Sequence, residues 1–178
     1  MLYFLVIPGT YFSNQKFTIL SYVFILTYLI PLFMMIFLKR LKLIKSYRTE
    51  SVNERKLPVI LMIFLFYILA NSLESILLLK DLSLLFYASS FGLAMLFIFL
   101  FRDFKMSIHL LALGISTGFF IALSDKYGQS FLLVIMALII ISGFLASARL
   151  HLKAHSVKEV FSGFFTGILA VMAIYLFL

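Results

Sequence analysis

The sequence predicts an all-α integral membrane protein, a compact bundle of six transmembrane helices. Three observations carry this. Apolar residues make up 64% of the 178 positions and charged residues 12%, against roughly half and a quarter in soluble domains. Six apolar runs have the ~20-residue length that crosses a bilayer core as a helix. The links between most of these runs are short, which makes sequential helices antiparallel neighbours. With 22 Phe and only 7 acidic residues, the chain is excluded as a water-soluble enzyme, a disordered chain or a coiled coil. It contains no Cys, which excludes disulfides, thiolate metal sites and a thiol nucleophile.

The runs follow in order. Residues 1–16 read as a short interfacial or re-entrant segment, because Met1 to Ile7 is apolar but brief and Pro8-Gly9 breaks it. A signal peptide would want basic residues ahead of that run and a small-residue cleavage site after it. Residues 17–178 read as one six-helix domain. Its first span is Phe17 to Leu38, ended by Lys39-Arg40 as an interfacial stop. The second is Pro58 to Leu79, with Pro58 suited to a first helical turn. Lys80-Asp81 links it to the third, Leu82 to Phe101, and Arg102-Asp103 precedes the fourth, Met106 to Ser124. A turn over Asp125 to Gln129 leads to the fifth, Ser130 to Ala148; polar Arg149 to Lys158 leads to the sixth, Glu159 to Leu178. Gly114/Gly118 and Gly163/Gly167 form GxxxG pairs, expected as close helix-packing sites. Asn71 and Glu74 fall inside the second span. An intramembrane ionisable group is a functional candidate, although Glu74 is near enough to the end of its span to reach the interface.

The net charge is +8. In a soluble protein that would suggest nucleic acid; in this chain no nucleic-acid partner is expected. Sorting the links by side places 12 of the 15 basic residues on one face, from Lys39 and Arg40 to Lys158, and Lys16, Lys80 and Lys126 on the other. All three histidines, His109, His151 and His155, fall on the basic face. The positive-inside rule accounts for basic loops and leans this face toward the cytoplasm. That rule is the simpler account of the basic loops alone; a cationic pocket for phosphate or carboxylate accounts for the histidines as well.

Three segments on that face carry chemistry. His155 and Glu159 are four residues apart, on one face at the start of the sixth helix. A carboxylate beside an imidazole fixes its tautomer and raises its basicity, although a plain His–Glu helix cap uses the same spacing. Ser107 and His109 open the fourth helix, where free backbone N–H groups favour an anion and where Ser107 is equally suited to be an N-cap. Arg48 and Arg55 are seven apart, and paired guanidinium groups suit a tetrahedral oxyanion. The alternative for them is a solvated basic loop.

Together these segments resemble the type 2 phosphatidic acid phosphatase family, the membrane branch of the vanadium haloperoxidase-like superfamily. That family has Lys, six residues, Arg, Pro; then Pro-Ser-Gly-His; then Ser-Arg, five residues, His, three residues, Asp. In this sequence Arg149, five residues, His155, three residues and Glu159 keep the third spacing, with Ser147 one position early. The second motif is reduced to Ser107-Ile108-His109, with Met106 for Pro and Ile108 for Gly. The first is altered to Arg48, six residues, Arg55, with Pro58 displaced. The resemblance covers about residues 40 to 170 and is nearest to small bacterial members.

The resemblance implies a six-helix bundle of phosphatidic acid phosphatase type in a bacterial inner membrane. It implies hydrolysis of a lipid phosphate monoester or pyrophosphate through a phosphohistidine. His155 would attack phosphorus, Glu159 would orient it, His109 would protonate the leaving alcohol, and Arg48, Arg55, Arg149 and Ser107 would hold the phosphate oxygens. No metal and no other cofactor is expected, because arginines take the place that metal ions hold elsewhere in phosphoryl transfer. The partners are a phosphorylated lipid substrate and membrane lipids, and no oligomer is required. Because Glu159 is longer than Asp and Ile108 bulkier than Gly, a second expectation stands beside the first. It is a catalytically silent relative that binds anionic lipid headgroups or serves as a subunit of a membrane complex.

Overall fold

A computed structural model describes the backbone of residues 13–43, 52–76 and 79–177, and the side chains of 17–43, 55–76 and 79–177. Most of the N-terminal segment, Arg48 and Leu178 lie outside the described residues. The described chain is all α, with six helices long and apolar enough to cross a membrane. This is the build of an integral membrane protein. It divides into two compact units, one ending at Arg48 and the other beginning at Thr49.

The first unit holds one span: α1 (Ser13–Phe24), a π-helical turn (Ile25–Leu29) and α2 (Ile30–Arg40). The π turn has an identifiable cause. Pro31 lacks an N–H and its ring crowds the carbonyl four residues back, so the helix widens ahead of it. The Thr27 hydroxyl, donating to the Val23 carbonyl at 2.8 Å, sits in the same turn. Lys39 and Arg40 occupy the last turn of α2, where cations suit the helix dipole. Lys42 has φ 59° and Leu43 N–H donates back to Leu38 O at 3.0 Å, a Schellman closure that ends the helix.

The second unit contains α3 (Val52–Glu74), α4 (Lys80–Leu100), α5 (Ile108–Tyr127), α6 (Leu132–His151) and α7 (Val157–Phe177). Helices α4, α5 and α7 pack against one another, α3 packs mainly on α4, and α6 mainly on α5. The core is accordingly built from α4, α5 and α7, with Leu96, Leu100, Leu110, Leu111, Leu123 and Val171 fully buried. Along α6, Leu133, Ile140 and Phe144 are exposed, the surface a lipid-facing helix presents.

The tightest packing is between α5 and α7, and the two GxxxG pairs produce it. A Cβ on Gly114 would collide with the Phe164 carbonyl, and one on Gly167 with the Leu111 carbonyl. A Cβ on Gly163 would lie 2.7 Å from Ser107 O, and one on Gly118 3.1 Å from Ile168 Cα. Each glycine thus receives the backbone of the opposite helix, the close approach that small residues permit in membranes.

Helix ends differ from the hydropathy pattern at α3. Pro58 is its seventh residue rather than part of its first turn, because the polar segment from Val52 is already helical. The helix stops at Glu74, not Leu79. Ser72 donates to Ile68 O and Ser75 to Ser72 O, which ties up carbonyls at the helix end. Leu79 instead belongs to the turn that starts α4, and its side chain is buried. The other end of this link is fixed by Asp81, whose buried carboxylate accepts from Lys126 Nζ at 2.7 Å and from the Tyr127 hydroxyl.

Candidate functional site

At the opposite end of the second unit, three helices begin and two end. α4 and α6 close there with the same device that ends α2. Asp103 has φ 54° and Phe104 N–H donates to Phe99 O; Lys153 has φ 51° and Ala154 N–H donates to Arg149 O. A non-glycine residue held at positive φ costs of order 1 kcal/mol or more. Here it turns the chain sharply twice, and each turn delivers a site residue two positions later: Lys105 and His155.

His155 lies in the link between α6 and α7, with its side chain only 6% exposed. Its Nδ1 is 2.9 Å from the Lys105 carbonyl oxygen and 3.4 Å from Glu159 Oε2. A carbonyl can only accept, so Nδ1 carries the hydrogen, and in the neutral imidazole the lone pair is then on Nε2. Glu159 is the third residue of α7. Its Oε2 accepts the Ser156 N–H at 2.9 Å while Ser156 Oγ accepts the Glu159 N–H at 3.4 Å. This is a capping box, so Glu159 fixes the start of α7 as well as lying beside His155.

Ser107 is the N-cap residue of α5, with extended backbone (φ −76°, ψ 109°). Its backbone N–H donates to Glu159 O at 3.1 Å, which ties the start of α5 to the first turn of α7. Its hydroxyl is fully buried and has no hydrogen-bond partner. An orphaned buried hydroxyl costs stability, and such groups ask for a reason. The first-turn N–H groups of α5, unpaired by the geometry of any helix, share this position.

His109 is the second residue of α5. Arg149, His155 and Arg55 all lie within electrostatic range of its imidazole. Arg149 comes from the last turn of α6 and Arg55 from the first turn of α3. Arg55 also lies within electrostatic range of the Glu159 carboxylate. The fold therefore brings Arg55, Ser107, His109, Arg149, His155 and Glu159 from four helices to one end of the unit. Arg48 lies outside the described residues. His151 ends α6 exposed, with no link to this group among the described contacts.

The arrangement offers an imidazole with a directed lone pair, a second imidazole nearby, two guanidinium groups and an unpartnered hydroxyl at a helix N-terminus. These are the kinds of group that attack on an electrophile attached to an anion calls for. Sequence reasoning did not find the Lys105 carbonyl, since a backbone acceptor has no residue signature. The capping box does have one, Ser156-x-x-Glu159, which overlaps the His155–Glu159 spacing. Glu74 ends α3 and accepts the Tyr87 hydroxyl at 2.7 Å; it belongs to the far end of the unit.

Comparison with protein-family models, with curated proteins and with solved structures finds no match to this chain.

Proposed function

We propose that the protein is a membrane lipid phosphatase of the phosphatidic acid phosphatase type, hydrolysing a phosphate monoester or pyrophosphate on a lipid in a bacterial inner membrane. The observation that carries the proposal is the grouping of His155, held through Nδ1, with Arg149 and Arg55 within electrostatic range of His109, at the end of α5 that Ser107 caps with an orphaned hydroxyl. Phosphoryl transfer needs little beyond a positioned nucleophile and stabilisation of charge on the equatorial oxygens.

In the proposed mechanism, the Nε2 lone pair of His155 forms a bond to phosphorus as the bond to the leaving oxygen breaks. Protonated His109 gives that oxygen its proton. His109, now neutral, takes a proton from water, whose oxygen attacks the phosphohistidine, and the N–P bonding pair returns to His155. Arg55 and Arg149 hold the phosphoryl oxygens, and the Ser107 hydroxyl donates to one of them. Glu159 keeps α7 in place beside the nucleophile.

A second reading has its own observation. The Ser107 backbone N–H is spent on Glu159 O and Ile108 stands where the resemblance wants Gly. A silent relative that binds anionic lipid headgroups, or a subunit of a membrane complex, would keep the cations without the turnover. Purified protein supplied with phosphatidic acid, phosphatidylglycerophosphate and undecaprenyl pyrophosphate separates the two. Phosphate release that survives a chelator and vanishes in His155→Ala supports the phosphatase. Equal release by wild type and His155→Ala rejects the nucleophile, and no release from any of the three lipids favours the second reading.

A further inference from the structure

An imidazole acts as a nucleophile only through the nitrogen that lacks the proton. Something must therefore hold the proton on the other nitrogen, and two oxygens compete for that role at His155. The Lys105 carbonyl stands at 2.9 Å from Nδ1, at the usual length of N–H···O bonds, whereas Glu159 Oε2 at 3.4 Å is the longer and weaker contact. That same carboxylate oxygen already receives the Ser156 N–H at 2.9 Å. The main-chain oxygen is held more firmly than a side chain could be. Asp103 at φ 54° reverses the chain, Phe104 N–H bonds back to Phe99 O and Met106 N–H to Phe104 O, and the Met106 side chain is fully buried.

We infer that the main-chain carbonyl of Lys105, presented by the turn at Asp103, is the group that fixes the tautomer of His155, and that Glu159 serves chiefly as the cap of α7. Lys105 is then a positioning residue acting through its backbone, and its side-chain identity is immaterial to this role. A neutral carbonyl directs the proton without adding a further negative charge to that of Glu159, 3.4 Å from Nδ1. The consequence for catalysis rests on the phosphatase reading, but the tautomer does not and can be read without turnover.

The experiment is long-range 1H–15N correlation NMR on full-length protein, labelled with 15N-histidine and held in lipid nanodiscs in mildly alkaline buffer. The chain has three histidines, so single His109→Gln and His151→Gln variants assign the spectrum. Wild type and Glu159→Gln should both show His155 as one tautomer protonated at Nδ1. Gln still accepts the Ser156 N–H, so the cap survives and the variant folds. Asp103→Gly, which keeps the positive φ, should retain that tautomer. Asp103→Pro, whose φ is fixed near −65°, should lose it. A shift of the proton to Nε2 in Glu159→Gln, or an Nε2-protonated wild type, would overturn the inference. An unchanged tautomer in a folded Asp103→Pro protein would overturn the role of the turn. Absence of phosphate release with the tautomer intact counts against the phosphatase reading alone.

Discussion

Two glycines in this protein should respond in opposite directions to the same methyl group. Gly143 lies in the exposed helix α6, and a Cβ there meets nothing within 4 Å. Glycine in a helix interior is about 1 kcal/mol less favourable than alanine, so Gly143→Ala should stabilise by roughly 0.5–1 kcal/mol. Gly167 carries the same intrinsic penalty. Its added Cβ, however, would collide with Leu111 O and lie 2.7 Å from Ile115 N and 2.9 Å from Gly114 C. All three atoms are backbone of α5, so no side chain can rotate away and the helices must separate. Overpacking costs about 1–3 kcal/mol, and backbone-on-backbone contact belongs at the upper end of that range. Set against the propensity gain, Gly167→Ala should destabilise by about 2 kcal/mol. Reversible unfolding by SDS titration from mixed micelles, followed by circular dichroism, measures both. Gly167→Ala as stable as Gly143→Ala would refute the claim that these glycines set the spacing of α5 and α7.

Three further outcomes are expected. Gly163→Ala places a Cβ 2.7 Å from Ser107 O, and the shift of somewhat under 1 Å needed to relieve it should cut phosphate release by about tenfold or more, since 1 Å misplacements can cost ~10²-fold; the readout is single-turnover kinetics on folded protein. Ser107→Ala removes a hydroxyl that makes no hydrogen bond, so unfolding titrations should show it no less stable than wild type, while lipid-phosphate hydrolysis falls by roughly 10- to 100-fold, the worth of a hydrogen bond to a charged group. Ser156→Ala removes one half of the capping box and should cost about 1 kcal/mol in the same titration; no loss would mean that α7 is held at its start by other contacts.

The spans were legible because a bilayer demands long apolar runs and little else produces them. Charge marks the end at Lys39-Arg40, but Lys80-Asp81, expected as a link, lies in the first turn of α4. At α3 hydropathy failed twice for the same reason: it reports polarity, not backbone geometry. The polar residues from Val52 are helical beyond the apolar core, and the apolar Leu79 is a buried turn. The site divided along a similar line. His155 and Glu159 announce themselves through a four-residue spacing, and the glycine pairs through GxxxG. The Lys105 carbonyl cannot, because every residue has one and only the turn at Asp103 aims it. Nor does the sequence reveal that Gly163 lies against Ser107, a contact between positions 56 apart that depends on how α5 and α7 meet.

The charges at this end are themselves an argument for an anion. α3, α5 and α7 all begin there, and each helix N-terminus carries roughly half a positive charge. Arg55 and Arg149, both half-buried, add two full charges. Glu159 is the acidic group that bears on Arg55, and part of its capacity goes to the N-terminus of α7. Like charges gathered where water is partly excluded repel more strongly than they would in solution. A basic loop meant only to hold the protein's orientation would spread its cations into water, as Lys153 and Lys158 do. Drawing arginines from two different helices toward a directed imidazole and an orphaned hydroxyl makes physical sense when a tetrahedral oxyanion completes the set.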